Sequence, residues 1–210
     1  MRRIIGEDDL REGVTALVGS CAYLARVHAL AGDPPLRRRA PGFEGLARVI
    51  ADQQLSTASA AAIWGRLEAS VRPFSAAKFL SAPDGDLRRA GLSASKIATL
   101  RRVAEAIEAG ALDLDGLAEE TDETVHARLT ALKGIGPWTA DIYLLVCLGR
   151  ADAWSPGDLA LQHAVKDALG LDDRPSPKSM IEIAEAWRPW RAVAARLLWS
   201  HYRFLRKARS

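Results

Sequence analysis

The sequence predicts an all-α fold, and three observations carry the prediction. Apolar residues recur at helical spacing through nearly every segment, as in "DLREGVTALVGS", where Leu10, Val14, Leu17 and Val18 fall at i, i+4, i+7 and i+8. Valine and isoleucine nowhere alternate with polar residues for long enough to mark a strand. The breaks between periodic segments are short and rich in glycine, proline, serine or aspartate, as expected of helices joined by brief connections. At 210 residues the chain can bury a real core, and 49% apolar with 26% charged residues is a globular composition that argues against disorder.

Taken in order, the first helix covers the Leu10–Val18 stretch. Ser20 is placed to cap a second one, which runs to about Leu30 and stops at "AGDPP". "LRRRAPG" is a basic loop. Phe43, Leu46, Val49 and Ile50 mark a helix ending near "DQQLS", and Ser56 or Thr57 caps an alanine-rich helix through Leu67. "FSAAKFLSA" and "DGDLRRAGLS" each hold a short helix. "SASKIATLRRVAEAIEAG" is a long one, with Ile97, Leu100, Val103, Ala104 and Ile107 on one face. "DETVHARLTAL" leads into "LKGIGPWTAD". "GPWTADIYLLVCLG" is apolar almost all round and reads as a buried central helix. "LALQHAVKDALG" and "SMIEIAEAWRPWRAVAARLLWSHYRFLRKA" complete the set.

The net charge is only +3, but a pI near 9.1 and clustered arginines suit a polyanionic partner as well as a solvated basic face. Cys21 and Cys147 sit in apolar helical contexts and are expected to be reduced core residues. No four-cysteine cluster exists, so neither a structural zinc nor an iron–sulfur cluster is expected. "MRRIIGEDDL" lacks an apolar signal region and no run approaches the length of a membrane span, so a soluble cytoplasmic protein is expected.

Two glycines flank one isoleucine in "KGIGPW". A helix ending at Leu132, the turn, and a new helix from Pro137 make a helix–hairpin–helix over about 123–147. Gly134 and Gly136 are expected to supply backbone freedom, including φ > 0, and to let another backbone come close. Pro137 suits the first helical position. Exposed amides at a helix N-terminus attract anions, and a DNA phosphate is the natural one, since such contacts hold DNA without reading its sequence. The turn alone is equally an ordinary tight connection between helices. Asp158 follows Pro156-Gly157 and precedes "LALQHAVKDAL", where by itself it reads as a helix N-cap worth about 1 kcal/mol.

"LKGIGPWTAD", followed by "WSPGDLALQ" with Asp158 twenty residues after Trp138, resembles the helix–hairpin–helix GPD superfamily of DNA glycosylases. "GFEGLARVIADQQLSTASAAAIWGRL", "AGLSASK" and "AWRPWRAVAARLLW" agree in order and spacing. The resemblance runs from about Leu36 to Tyr202 and is nearest the 3-methyladenine DNA glycosylase II branch. It implies that Asp158 is the catalytic aspartate. Its carboxylate would stabilise an oxocarbenium-like sugar and orient water once the nucleotide is flipped out of the duplex. Trp138 stands where the bifunctional relatives hold a Schiff-base lysine, which implies hydrolysis without lyase activity; Trp138 would line the base pocket, its alternative being a core aromatic. Trp199 matches the second pocket tryptophan, while Trp187 and Trp190, around Pro189, are expected to pack structurally. Aromatic faces attract cations, and a 3- or 7-alkylated purine is positively charged. Ile142 and Leu159 complete the pocket where the best-studied branch has tyrosines, so this pocket would be less aromatic.

The resemblance assigns the gap-filling wedge to Gln54, with Gln53 next; a polar helix terminus is the alternative. Asp52 replaces the family's usual glycine. Phosphate would be held by Lys133, Thr139 and the amides of Gly134 and Gly136, with Arg37, Arg38, Arg39, Lys96, Arg101 and Arg102 as looser candidates. The carbonyls of Thr130, Leu132 and Ile135 would hold a monovalent cation, Na⁺ or K⁺; no cofactor would be required. The resemblance further implies one glycosylase domain over residues 1–210 with a cleft between two lobes, 44–158 and 1–43 plus 159–210. Only about 40 residues precede the match, so the N-terminal β domain of larger relatives is not expected. The expected protein is a monomer, bacterial-type and nucleoid-associated, that acts on double-stranded DNA containing damaged bases and excises alkylated purines. A glycosylase for deaminated or oxidised bases, and a non-catalytic DNA-binding module, are the alternatives; Asp158 argues against the second.

Overall fold

The computed structural model describes residues 1–208; residues 209 and 210, included in the single-domain expectation, lie outside the described residues. It is all-α: the described residues form twelve α-helices and several tighter or wider turns, and their only β-type pairing is one isolated antiparallel bridge between Arg3 and Arg150. No helix among them is long and apolar enough to cross a membrane.

The chain divides into two compact units, one of residues 1–38 and 144–210, the other of residues 39–143. Residues 144–158, expected with the 44–158 lobe, instead belong with the two chain ends, and residues 39–43 change sides likewise. The physical reason lies in the backbone: Ile4 N–H donates to the Gly149 carbonyl at 2.7 Å and Ala151 N–H to the Arg2 carbonyl at 3.1 Å.

In the discontinuous unit, α1 (Glu7–Ser20) and α2 (Ala22–Ala31) pack on α12 (Arg191–Ala208). Between them in sequence come α10 (Leu159–Leu169), which packs on α12 and α2, and α11 (Pro177–Ala184). Leu10, Val14, Leu17, Leu24, Val27, Leu161, Val165, Leu197 and Leu198 form the core, as their helical spacing requires. At Gly13 a side chain would meet Val193 at 2.6 Å and Trp190 at 2.7 Å, so its absence lets α1 approach. Ser20 does not cap α2; its hydroxyl turns back to the Ala16 carbonyl at 2.9 Å, and half-buried Cys21 occupies the cap position without a side-chain bond. Cys147 is buried, and neither cysteine is in a disulfide. Arg196 is buried and donates to the carbonyls of Leu36, Ala192 and Leu145, while burial, with Arg38 and Arg37 nearby, disfavours its charge. The last helical stretch is interrupted before α12 by a short 3₁₀ turn, Glu185–Trp187, and Pro189. Trp187 and Trp190 are buried there, as expected, and Trp187 meets Trp154 edge-on.

The continuous unit contains α3 (Gly42–Asp52), α4 (Thr57–Ser70), α5 (Ala76–Ser81), α6 (Asp84–Ala90), α7 (Ala94–Glu108), α8 (Asp122–Thr130) and α9 (Pro137–Ile142). Ser56, one of the two caps expected for α4, accepts the Ser59 N–H, and Ser75, Ser93 and Thr121 cap α5, α7 and α8 in the same way, each accepting the N–H three residues on. Phe43, Trp64, Phe74 and Phe79 form an aromatic cluster under α3, α4 and α5. Beyond α9 the apolar run does not continue as α-helix: Tyr143–Cys147 is wound as a π-turn.

Candidate functional site

Asp158 has the extended backbone of an N-cap, and its carboxylate oxygen Oδ1 accepts the Leu161 N–H at 2.9 Å. The same oxygen accepts the indole N–H of half-buried Trp199 on α12, at 3.3 Å. Gln162, buried on the first turn of α10, donates to the Pro156 carbonyl at 2.8 Å and steadies the "SPGD" bend that presents the aspartate. Asp158 is 8% exposed, and the positive end of a three-turn helix points at its carboxylate. Leu159, the next residue, is 58% exposed, whereas Ile142 on α9 is buried. Trp138, at the second position of α9, is half-buried.

The hairpin is present between α8 and α9, with α8 ending at Thr130 rather than Leu132. Its two glycines differ. Gly134 has φ +104°, so the expected backbone freedom applies, and a side chain there would lie 2.1 Å from the Thr99 hydroxyl on α7: what comes close is a side chain, not the other backbone that was expected. Gly136, expected to share these needs, has an ordinary φ of −95° and open space around it. It is the exposed N-cap of α9, beside exposed Lys133. Thr139 departs from expectation more strongly. It is 2% exposed, its N–H donates to Gly136, and its hydroxyl accepts from the Gln53 amide at 2.8 Å. The hydroxyl of this phosphate candidate thus has an internal donor while keeping its own proton to give.

The carbonyls of Thr130, Leu132 and Ile135 are hard oxygen donors of the kind a monovalent cation takes. That of Leu132 accepts the Ile135 N–H at 3.0 Å and keeps a second lone pair, so the donor chemistry fits. Among the described residues no group of three or more histidine, cysteine, aspartate or glutamate side chains could hold a metal.

Gln54 is exposed at a left-handed φ of +57°, uncommon for a residue with a side chain and worth notice in an exposed bend. Gln53, by contrast, is tied down by Thr139. Asp52 pairs with Arg39. Several looser phosphate candidates are engaged internally. Arg101 donates to the carbonyls of Leu80 and Ala82 and to Asp84, and Lys96 donates to the carbonyls of Ala51 and Gln53. The roles of Gln162 and Lys96 were not legible, because each depends on a carbonyl that no side-chain pattern marks.

Residues 47–189 match the family described as the HhH-GPD superfamily base excision DNA repair protein. The chain belongs to that superfamily. Among curated relatives it is 32% identical over 161 residues to DNA-3-methyladenine glycosylase 1 of Schizosaccharomyces pombe, covering 75% of this chain and 71% of that one. It is 36% identical over 103 residues to the putative DNA-3-methyladenine glycosylase YfjP of Bacillus subtilis, but that covers 49% of this chain and 34% of the relative. Among solved structures, the S. pombe 3-methyladenine DNA glycosylase Mag1 in complex with abasic DNA superposes with a TM-score of 0.83 at 28% identity, covering 90% of this chain and 95% of that one. A Bacillus halodurans DNA-3-methyladenine glycosidase gives 0.76 at 33% identity, covering 99% and 95%.

Proposed function

We propose that the chain is a monofunctional glycosylase that hydrolyses the N-glycosidic bond of alkylated purines in double-stranded DNA. The observation that carries the reading is the Asp158 carboxylate, held on the N-terminus of α10 with the Trp199 indole donating to it. The relatives named as 3-methyladenine glycosylases support the substrate class.

Chemically, the pre-aimed carboxylate opposes the positive charge that develops on the sugar as the bond to the base breaks. Being fixed before reaction, it needs no reorganisation in the transition state. An alkylated purine leaves as a neutral base, so no general acid is required. Trp199, whose indole N–H meets the same carboxylate, would offer its ring to a cationic base, which gains from an aromatic face. The oxygen of a water molecule bonds to C1′ as the base departs, its proton passes to the Asp158 carboxylate and on to solvent, and an abasic site remains. The pocket roles of Trp138, Ile142 and Leu159 rest on the resemblance, as does the absence of lyase activity, for which tryptophan in place of the lysine is the support. Lys133 and the amides around Gly136 would hold phosphate. A monovalent cation on the carbonyls of Thr130, Leu132 and Ile135 would add a positive charge beside that phosphate.

The test is single-turnover excision from duplexes carrying 3-methyladenine, 7-methylguanine or hypoxanthine. The expected result is release of the methylated purines, with the strand intact until hot alkali is added. Release of hypoxanthine alone would refute the substrate class, and a borohydride-trapped protein–DNA adduct would refute the hydrolytic mechanism.

A further inference from the structure

The bend after α3 holds a non-glycine residue in the left-handed region, and the ties around it are unusually specific. The Lys96 ammonium, projecting from the first turn of α7, donates to the Ala51 carbonyl at 2.7 Å and to the Gln53 carbonyl at 2.8 Å. These are carbonyls of the last turn of α3 and its cap, where a helix leaves acceptors unsatisfied and favours a cation. The Gln53 carbonyl belongs to the same rigid peptide unit as the Gln54 N–H. Fixing that carbonyl therefore fixes one side of the torsion that puts Gln54 at φ +57°. The Gln53 side chain is anchored independently on Thr139, and Leu55 N–H closes the bend on the Asp52 carbonyl at 3.2 Å. Burial pulls the Lys96 ammonium below its ordinary range, and nearby Asp52 partly offsets this. Desolvation of a lysine whose contacts are carbonyls suits a bracket better than a surface charge.

We propose that Lys96 is a positioning residue: by holding the Gln53 carbonyl it sets the peptide plane that keeps Gln54 left-handed, and so aims the Gln54 side chain at the gap an extruded nucleotide leaves. The proposal rests on the reading of the chain as a base-flipping glycosylase. Without the bracket the plane can rotate and Gln54 relaxes toward negative φ, pointing its side chain elsewhere. The left-handed penalty for a residue with a Cβ then lowers the aimed population by roughly fivefold or more.

The probe is a duplex with a tetrahydrofuran abasic analogue opposite 2-aminopurine, bound at saturating protein. A side chain entering the gap changes the fluorescence without any chemistry. Wild type and Lys96→Arg, which keeps the donors, are expected to give the full change, and Lys96→Met a change roughly fivefold smaller at equal occupancy by anisotropy. Lys96→Gln, whose amide is too short to bridge both carbonyls, carries the same expectation should the methionine variant fail to fold. An undiminished signal in a folded Lys96→Met or Lys96→Gln protein overturns the proposal. So does an equal loss in Lys96→Arg, or the lack of any change in wild type. Excision is scored separately. A wild type that shows the Lys96-dependent signal but releases no methylated purine supports this proposal and refutes the glycosylase reading; one that excises without the signal does the reverse.

Discussion

Asparagine caps a helix about as well as aspartate, so the two functions of Asp158 can be separated by substitution. Asp158→Asn keeps an oxygen for the Leu161 N–H and should leave stability to urea nearly unchanged, while excision falls by about 10²–10³ or more, as when a single electrostatic stabiliser is removed. Asp158→Ala should lose the same activity and about 1 kcal/mol of stability besides. Single-turnover rates and urea midpoints on the three proteins read both axes; a near wild-type rate for the asparagine variant would reduce Asp158 to a cap. The aspartate was legible as a cap from its place before "LALQ", and as a catalyst only through the family pattern. The Trp199 indole on its Oδ1 was not, because the two residues are 41 positions apart and only the packing of α10 on α12 joins them.

At the scale of the element, the hairpin divides its work between its two glycines. Gly134 is required by the fold: alanine there would carry a left-handed backbone into the Thr99 hydroxyl and should cost roughly 1–3 kcal/mol. Gly136 tolerates a side chain structurally, so Gly136→Ala should keep its urea midpoint yet weaken binding to damaged and undamaged duplex alike, because phosphate contacts ignore sequence. Fluorescence anisotropy on both duplexes checks this, and an affinity loss confined to the damaged one would contradict the phosphate assignment. The spacing of "KGIGP" located the turn and the start of α9 correctly. It could not say which glycine needed φ > 0, since that is decided by how close α7 comes. The same limit hid Thr139: a hydroxyl at a helix start reads as open to solvent until α3 and the bend after it deliver Gln53.

For the molecule as a whole, the helical period of each segment and the short breaks between segments were enough to fix class and element order. The π-turn after α9 and the turn at Pro189 were not, since both preserve the apolar pattern while changing the winding. The unit boundaries were also missed, because backbone bonds from Ile4 to Gly149 and from Ala151 to Arg2 leave no trace in side-chain periodicity. The closeness of chain start and chain end can be tested at Gly13. Alanine is favoured over glycine in a helix by about 1 kcal/mol, yet here its methyl would press on Val193 and Trp190. Gly13→Ala is expected to destabilise by roughly 1–3 kcal/mol in urea unfolding; a stabilised variant would mean that α1 is free to shift away from α12.

A unit assembled from residues 1–38 and 144–210 also imposes an order of events on synthesis. When α1 and α2 leave the ribosome, α12 and α10, against which they bury Leu24 and Val27, have not been translated. The whole of residues 39–143 emerges first and can collapse on its own aromatic cluster. Until the last helix follows, the nascent chain trails two amphipathic segments whose apolar faces are uncovered. The unit that carries Asp158 can therefore complete its core only once α12 has been synthesised.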